Sequence, residues 1–93
     1  MQTVAVIPAY KPDDKMVSLV KELKEENFDI LVVDDGSGEA YSTFFEQVEP
    51  YAVVLHNPHN MGKGATLKNA MRGLCEHFPN AEYFVTADSD GQH

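Results

Sequence analysis

Two acidic clusters stand out in the chain, Asp34-Asp35-Gly36-Ser37 and Asp88-Ser89-Asp90-Gly91-Gln92-His93, and each follows an apolar run. In Asp88-Ser89-Asp90, alternate aspartates with a small residue between them can reach one hard cation and its phosphates together. Gln92, two positions on, can add a neutral oxygen. Such oxygen donors suit Mg²⁺ or Mn²⁺, which neutralise charge building on a phosphate leaving group. The plainer reading is a solvated acidic loop that turns at Gly91. Asp34 and Asp35 have a plain reading as turn formers as well, but two adjacent carboxylates are not both needed for one turn. Asp35 is the candidate to accept hydrogen bonds from a ligand, such as the imide N–H of uracil or the N–H groups of guanine.

A third polar segment, His56 to Gly64, contains Gly62-Lys63-Gly64. Glycines there permit close backbone approach, a helix N-terminus favours an anion, and Lys63 offers a charge to a phosphate. Neither the GxxxxGK[ST] nor the GxGxxG spacing is present, so the segment is no Walker or dinucleotide loop. His56 and His59 flank Asn57-Pro58 without a zinc-ligand spacing, and they read as loop residues. Cys75 is the single cysteine; in an apolar helical stretch it reads as a small buried hydrophobe, and no internal disulfide can form.

The elements that must position these groups repeat in rhythm. Apolar strands are expected at Thr3–Pro8, Asp29–Val33, Tyr51–Leu55 and Glu82–Ala87. Between them lie helical stripes: Met16, Leu19, Val20 and Leu23; then Tyr41, Phe44, Phe45 and Val48; then Leu67, Ala70, Met71, Leu74 and Phe78. An aspartate of Pro12-Asp13-Asp14 caps the first helix and Asn27 ends it; Pro50 closes the second, whose aromatic residues read as core. Alternating strands and helices with near-continuous apolar strands imply an α/β class, a three-layer α/β/α architecture around a mainly parallel sheet. The expected strand order is 3-2-1-4, which creates a switch point beside the first strand, where ligands bind. All the polar groups then share the carboxyl rim. Four carboxylates there repel one another unless something positive is bound.

Composition narrows the function. At 93 residues the chain is one small domain, and its net charge of −8 with no basic cluster argues against a nucleic-acid partner. No signal-like segment opens the sequence and no apolar stretch approaches the length of a membrane span, so a cytoplasmic location is expected.

Four segments carry a resemblance: VAVIPAY at Val4–Tyr10, VVDDGS at Val32–Ser37, HNMGKGATLKNAM at His59–Met71 and TADSDGQH at Thr86–His93. In order and spacing they resemble the inverting glycosyltransferases of family 2, with the GT-A fold, in the branch that includes dolichyl-phosphate mannose synthases. The resemblance implies that residues 1–93 form the Rossmann-like, nucleotide-sugar-binding half of such an enzyme. Pro8, Ala9 and Tyr10 would line the nucleoside pocket, Asp35 would hold the base and Lys63 would lie close to the nucleotide. Asp88 and Asp90 match the DxD motif for ribose and metal, and Gln92 matches a position completing the metal shell in the polyprenol-phosphate branch. A UDP- or GDP-linked sugar is the implied donor and a polyprenyl phosphate the implied acceptor, with the parent protein at the inner face of the membrane. The family's acceptor half and catalytic base lie beyond the region matched, so the 93 residues are expected to be inactive alone, and no base is assigned. Covering the surface where an acceptor half packs is a reason to expect a homo-oligomer. Where the family often carries another acidic residue after the DDGS segment, this chain has Gly38-Glu39.

Two other readings fit less well. A nucleotidyltransferase carries a Gly-rich, basic loop after its first strand, where this chain has Pro8-Ala9-Tyr10-Lys11-Pro12. A non-enzymatic, Mg²⁺-binding receiver domain carries paired acids after strand 1 and an aspartate after strand 3, where this chain has Pro-Ala-Tyr and Leu-His-Asn.

Overall fold

Strand β1 (Thr3–Ala9) forms from a β-branched run and occupies the interior of a four-stranded parallel sheet. The computed structural model describes residues 2–87. The order of elements is β1, helix α1 (Asp14–Glu25), β2 (Asp29–Asp34), a 3-10 turn at Glu39–Tyr41, α2 (Ser42–Val48), β3 (Val53–His56), α3 (Lys63–His77) and β4 (Tyr83–Thr86). The sheet order is β3-β2-β1-β4, as the alternation of elements implied. Asp13 caps α1 by accepting the Lys15 amide at 2.9 Å, and just beyond the helix Asn27 takes a left-handed φ of 69°.

Side chains alternate across the sheet with period two, and this splits the core into two layers. Ile7 and Ala9 of β1 and Ile30 and Val32 of β2 face α1 and α2, packing with Met16, Val20, Phe45 and Val48. Val4, Val6, Leu31 and Val33 face the other way and meet Ala70 and Leu74 of α3. Burying each such aliphatic side chain is worth about 1.5–3 kcal/mol, so these two layers dominate the stability of the domain.

Several expectations are corrected. β3 begins at Val53 rather than Tyr51, because the Tyr51 amide still closes a turn onto the Val48 carbonyl at 2.9 Å. The buried face of α3 is Thr66, Ala70, Gly73 and Leu74, and Met71 is exposed. Gly73 belongs to that face because α3 runs close to the sheet: a Cβ there would lie 2.5 Å from Leu55 Cδ1. Cys75, one position past this face, is exposed rather than buried. β4 spans Tyr83–Thr86 rather than Glu82–Ala87 and is exposed at every residue, since the helices sit over β1 and β2.

Candidate functional site

The carboxyl ends of β1, β2 and β3 meet in a single row, with Ala9 beside Asp34 and Asp34 beside His56. β4 runs parallel to β1, so its carboxyl end points to the same rim. Asp88, Asp90 and Gln92 follow β4 in sequence and lie outside the described residues.

Because neighbouring residues of an extended strand point to opposite faces, Asp34 and Asp35 part company at the end of β2. Asp34 turns toward the α2 side. Its Oδ1 accepts the Ser37 amide at 2.9 Å and its Oδ2 accepts His56 Nδ1–H at 2.8 Å. The His56 ring stands edge-on to Phe45, with centroids 5.5 Å apart. A cleft of about 290 Å³ opens here between the 34–38 turn, Glu39, Ser42 and His56.

Asp35 turns toward α3. Its Oδ1 accepts Asn57 Nδ2–H at 3.0 Å and the Met61 amide at 2.8 Å, and its Oδ2 accepts the Gly62 amide at 3.2 Å. Asn57 is itself buried, donating to Thr66 Oγ1 and accepting from Asn69 Nδ2–H on the next turn of α3. Burial alone would raise the Asp35 pKa. The hydrogen bonds from Met61, Asn57, Thr66 and Gly62 outweigh it and hold the carboxyl below the usual aspartate value. The anion at the N-terminus of α3 is therefore the protein's own Asp35, while Gly62 caps the helix at φ 87° without a side-chain bond.

This geometry revises the electrostatic expectation for the rim. Two of its four carboxylates are satisfied by internal donors, so they do not call for a cation. Among the described residues no group of three or more His, Cys, Asp or Glu is arranged to hold a metal ion. The case for a cation therefore lies with Asp88, Asp90 and Gln92.

The other expected site residues are brought to the same rim in different states. Pro8 is half-buried, Ala9 lies in the apolar core with its carbonyl accepting the Asp35 amide at 2.8 Å, and Tyr10 is 46% exposed. Lys63 is the exposed first residue of α3. The Ser37 hydroxyl accepts the Lys11 amide at 2.8 Å, tying the loop after β1 to the turn after β2. Gly36 lies so close to the third loop that a Cβ would be 2.2 Å from the His59 carbonyl carbon. Sequence reasoning missed Ser37, His56, Asn57, Thr66 and Asn69 as members of this network. A buried Asn heading a loop was the one available signal, and it becomes specific only once the register of β2 and β3 is known.

The chain matches the family model described as glycosyl transferase family 2 over residues 4–93. It is 31% identical over 100 residues to a dolichyl-phosphate beta-glucosyltransferase of Trichomonas vaginalis, covering 92% of this chain and 29% of that protein. It is 26% identical to a UDP-N-acetylglucosamine–dolichyl-phosphate N-acetylglucosaminyltransferase of Methanococcus voltae, covering 95% of this chain and 41% of the relative. An uncharacterized protein of Methanocaldococcus jannaschii is 27% identical, again over 41% of its own length. The chain thus spans less than half the length of each of these relatives. The fold is similar to that of S. aureus TarS, a GT-A fold, with a TM-score of 0.75 and 20% identity over 97% of this chain and 17% of that one.

Proposed function

Because the chain belongs to glycosyl transferase family 2, we propose that its carboxyl rim binds a nucleotide sugar, UDP- or GDP-linked, for inverting transfer of the sugar to a polyprenyl phosphate. The observation that carries this reading is the convergence on one rim of three loops tied to one another: 10–12 through Ser37, 34–38 through Asp34, and 57–62 through Asp35. Such cross-bonding fixes a pocket wall before any ligand arrives, which lowers the ordering cost of binding. Two relatives named for sugar transfer to dolichyl phosphate support the acceptor class.

Each residue has a physical task in this reading. Tyr10 offers an exposed ring for the nucleoside beside Pro8 and Ala9. Asp35, ionised at neutral pH, holds the 57–62 loop in place and is the carboxylate assigned to meet an N–H of the base. Lys63 extends toward the nucleotide from the start of α3. Asp88, Asp90 and Gln92 would hold Mg²⁺ or Mn²⁺, which when bound neutralises charge on the departing nucleoside diphosphate. The acceptor site and the catalytic base are assigned to none of these residues.

Calorimetry of UDP and GDP binding, with Mg²⁺ or Mn²⁺ and again with EDTA, tests the proposal. Metal-dependent binding that disappears in Asp90→Ala is expected. Absence of binding under every condition, or unchanged affinity in Asp90→Ala, would sink the donor-site reading or the metal assignment respectively.

A further inference from the structure

Lys11 is out of place on conformational grounds. Only two non-glycine residues among those described have positive φ, Asn27 at 69° and Lys11 at 49°. Asn27 ends a helix, and its short polar side chain tolerates that region. Lys11 has no such excuse: a long unbranched side chain in the left-handed region is strained, and glycine would relieve the strain. The strain is held by a bond from the β2 turn, since the Ser37 hydroxyl accepts the Lys11 amide at 2.8 Å. Strained residues locked by their surroundings concentrate where a side chain must be presented to a ligand.

The side chain carries the second half of the argument. Of the seven Lys and Arg residues, six lie within α1 or α3 and Lys11 alone lies in a loop. Its ammonium stands over the exposed Tyr10 ring, 5.4 Å from the centroid. The one contact at salt-bridge distance among the described residues is between His56 and Asp34, so no described carboxylate holds Lys11. An ammonium without a carboxylate partner among the described residues therefore sits at the carboxyl end of β1, on a chain of net charge −8 that must admit a polyanionic ligand.

We propose that Lys11 is a phosphate-contacting residue of the donor site, its ammonium meeting the diphosphate of the nucleotide while Ser37 holds its backbone in position. This rests on the donor-site reading above and assigns a residue that reading does not use.

The test compares wild type with Lys11→Gly, Lys11→Ala and Lys11→Arg, titrating UDP and GDP with Mg²⁺ and, separately, the nucleosides uridine and guanosine. Lys11→Gly and Lys11→Ala are expected to weaken diphosphate binding about tenfold, with nucleoside binding unchanged and Lys11→Arg restoring most of the affinity. Lys11→Gly is expected to keep or raise the Tm while losing affinity, which a purely structural role would not do. If wild type binds no nucleotide, the donor-site reading itself fails. If wild type binds and the variants match it, or lose nucleoside and diphosphate affinity equally, the assignment of Lys11 is overturned and the donor site stands.

Discussion

β2 and β4 both lie parallel against β1, and both are apolar runs, yet their surroundings differ completely. From Ile30 to Asp34 every residue of β2 is buried, whereas β4 is exposed throughout, with Tyr83 at 58%, Phe84 at 48% and Val85 at 44%. α1 and α2 cover one side of β1 and β2 and α3 the other, while no described helix packs across β4. The rim follows the same division. At the β2 end three loops are bonded into one unit by Asp34, Asp35 and Ser37, and at the β4 end stands the segment proposed to carry the metal. The difference teaches that the β2 end of the rim, proposed above as the nucleoside side of a donor pocket, is built in advance by burial and internal hydrogen bonds.

Substitutions sharpen or break this contrast. The largest effect is expected for Phe45→Ala, which empties a site only 2% exposed between α2 and the sheet and should cost about 3–5 kcal/mol in urea unfolding. The corresponding Phe84→Ala on β4 should cost less than about 1 kcal/mol; equal losses would show that β4 is covered after all. Gly36→Ala combines a positive φ of 71° with a clash against the His59 backbone, and should cost about 2–3 kcal/mol while loosening the 57–62 loop. Faster amide exchange at Met61 and Gly62 would report that loosening.

Asp35→Asn comes next, at about 2 kcal/mol, because it weakens acceptance from Asn57, Met61 and Gly62 at a buried position. Its pH dependence has a definite sign. The folded pKa lies below the unfolded one, so the wild-type advantage is complete above about pH 4 and is lost as pH falls through the lower folded value. Urea midpoints for wild type and variant across pH 2–7 should therefore converge at the acid end, and a gap that widens there would contradict the assignment. The smallest effect concerns Cys75, which is exposed and should react with a thiol reagent in the native protein at nearly the rate of the unfolded chain.

Much of the fold was legible because β-branched runs and helical stripes repeat cleanly, and the positions of Asp34, Asp35 and Asp88 in the chain implied a shared rim. Period-two alternation sorts β1 and β2 into two sets of side chains, but which set meets α3 is known only from the packing. The exposure of β4 was not legible from Tyr83-Phe84-Val85, since an apolar run says nothing of what lies above it. Nor were the partners of Asp34 and Asp35. They depend on β2 and β3 pairing so that His56 falls beside Asp34, and on Gly73 letting α3 approach Leu55 closely. The plain turn-forming reading of Asp34 is correct in part, since it holds the Ser37 amide, and the same carboxylate also anchors β3 through His56.

The central claim is that a nucleoside diphosphate binds where the loops after β1, β2 and β3 meet, with its cation held by Asp88, Asp90 and Gln92 after β4. Paramagnetic broadening by Mn²⁺ in the presence of UDP or GDP tests it most directly, through the amide spectrum of the protein. The account predicts early loss of the Tyr10, Lys11, Ser37, Met61 and Gly62 signals, with Phe28 and Tyr51 at the opposite edge of the sheet unaffected. Broadening centred on that opposite edge, or spread evenly over the chain, would contradict it.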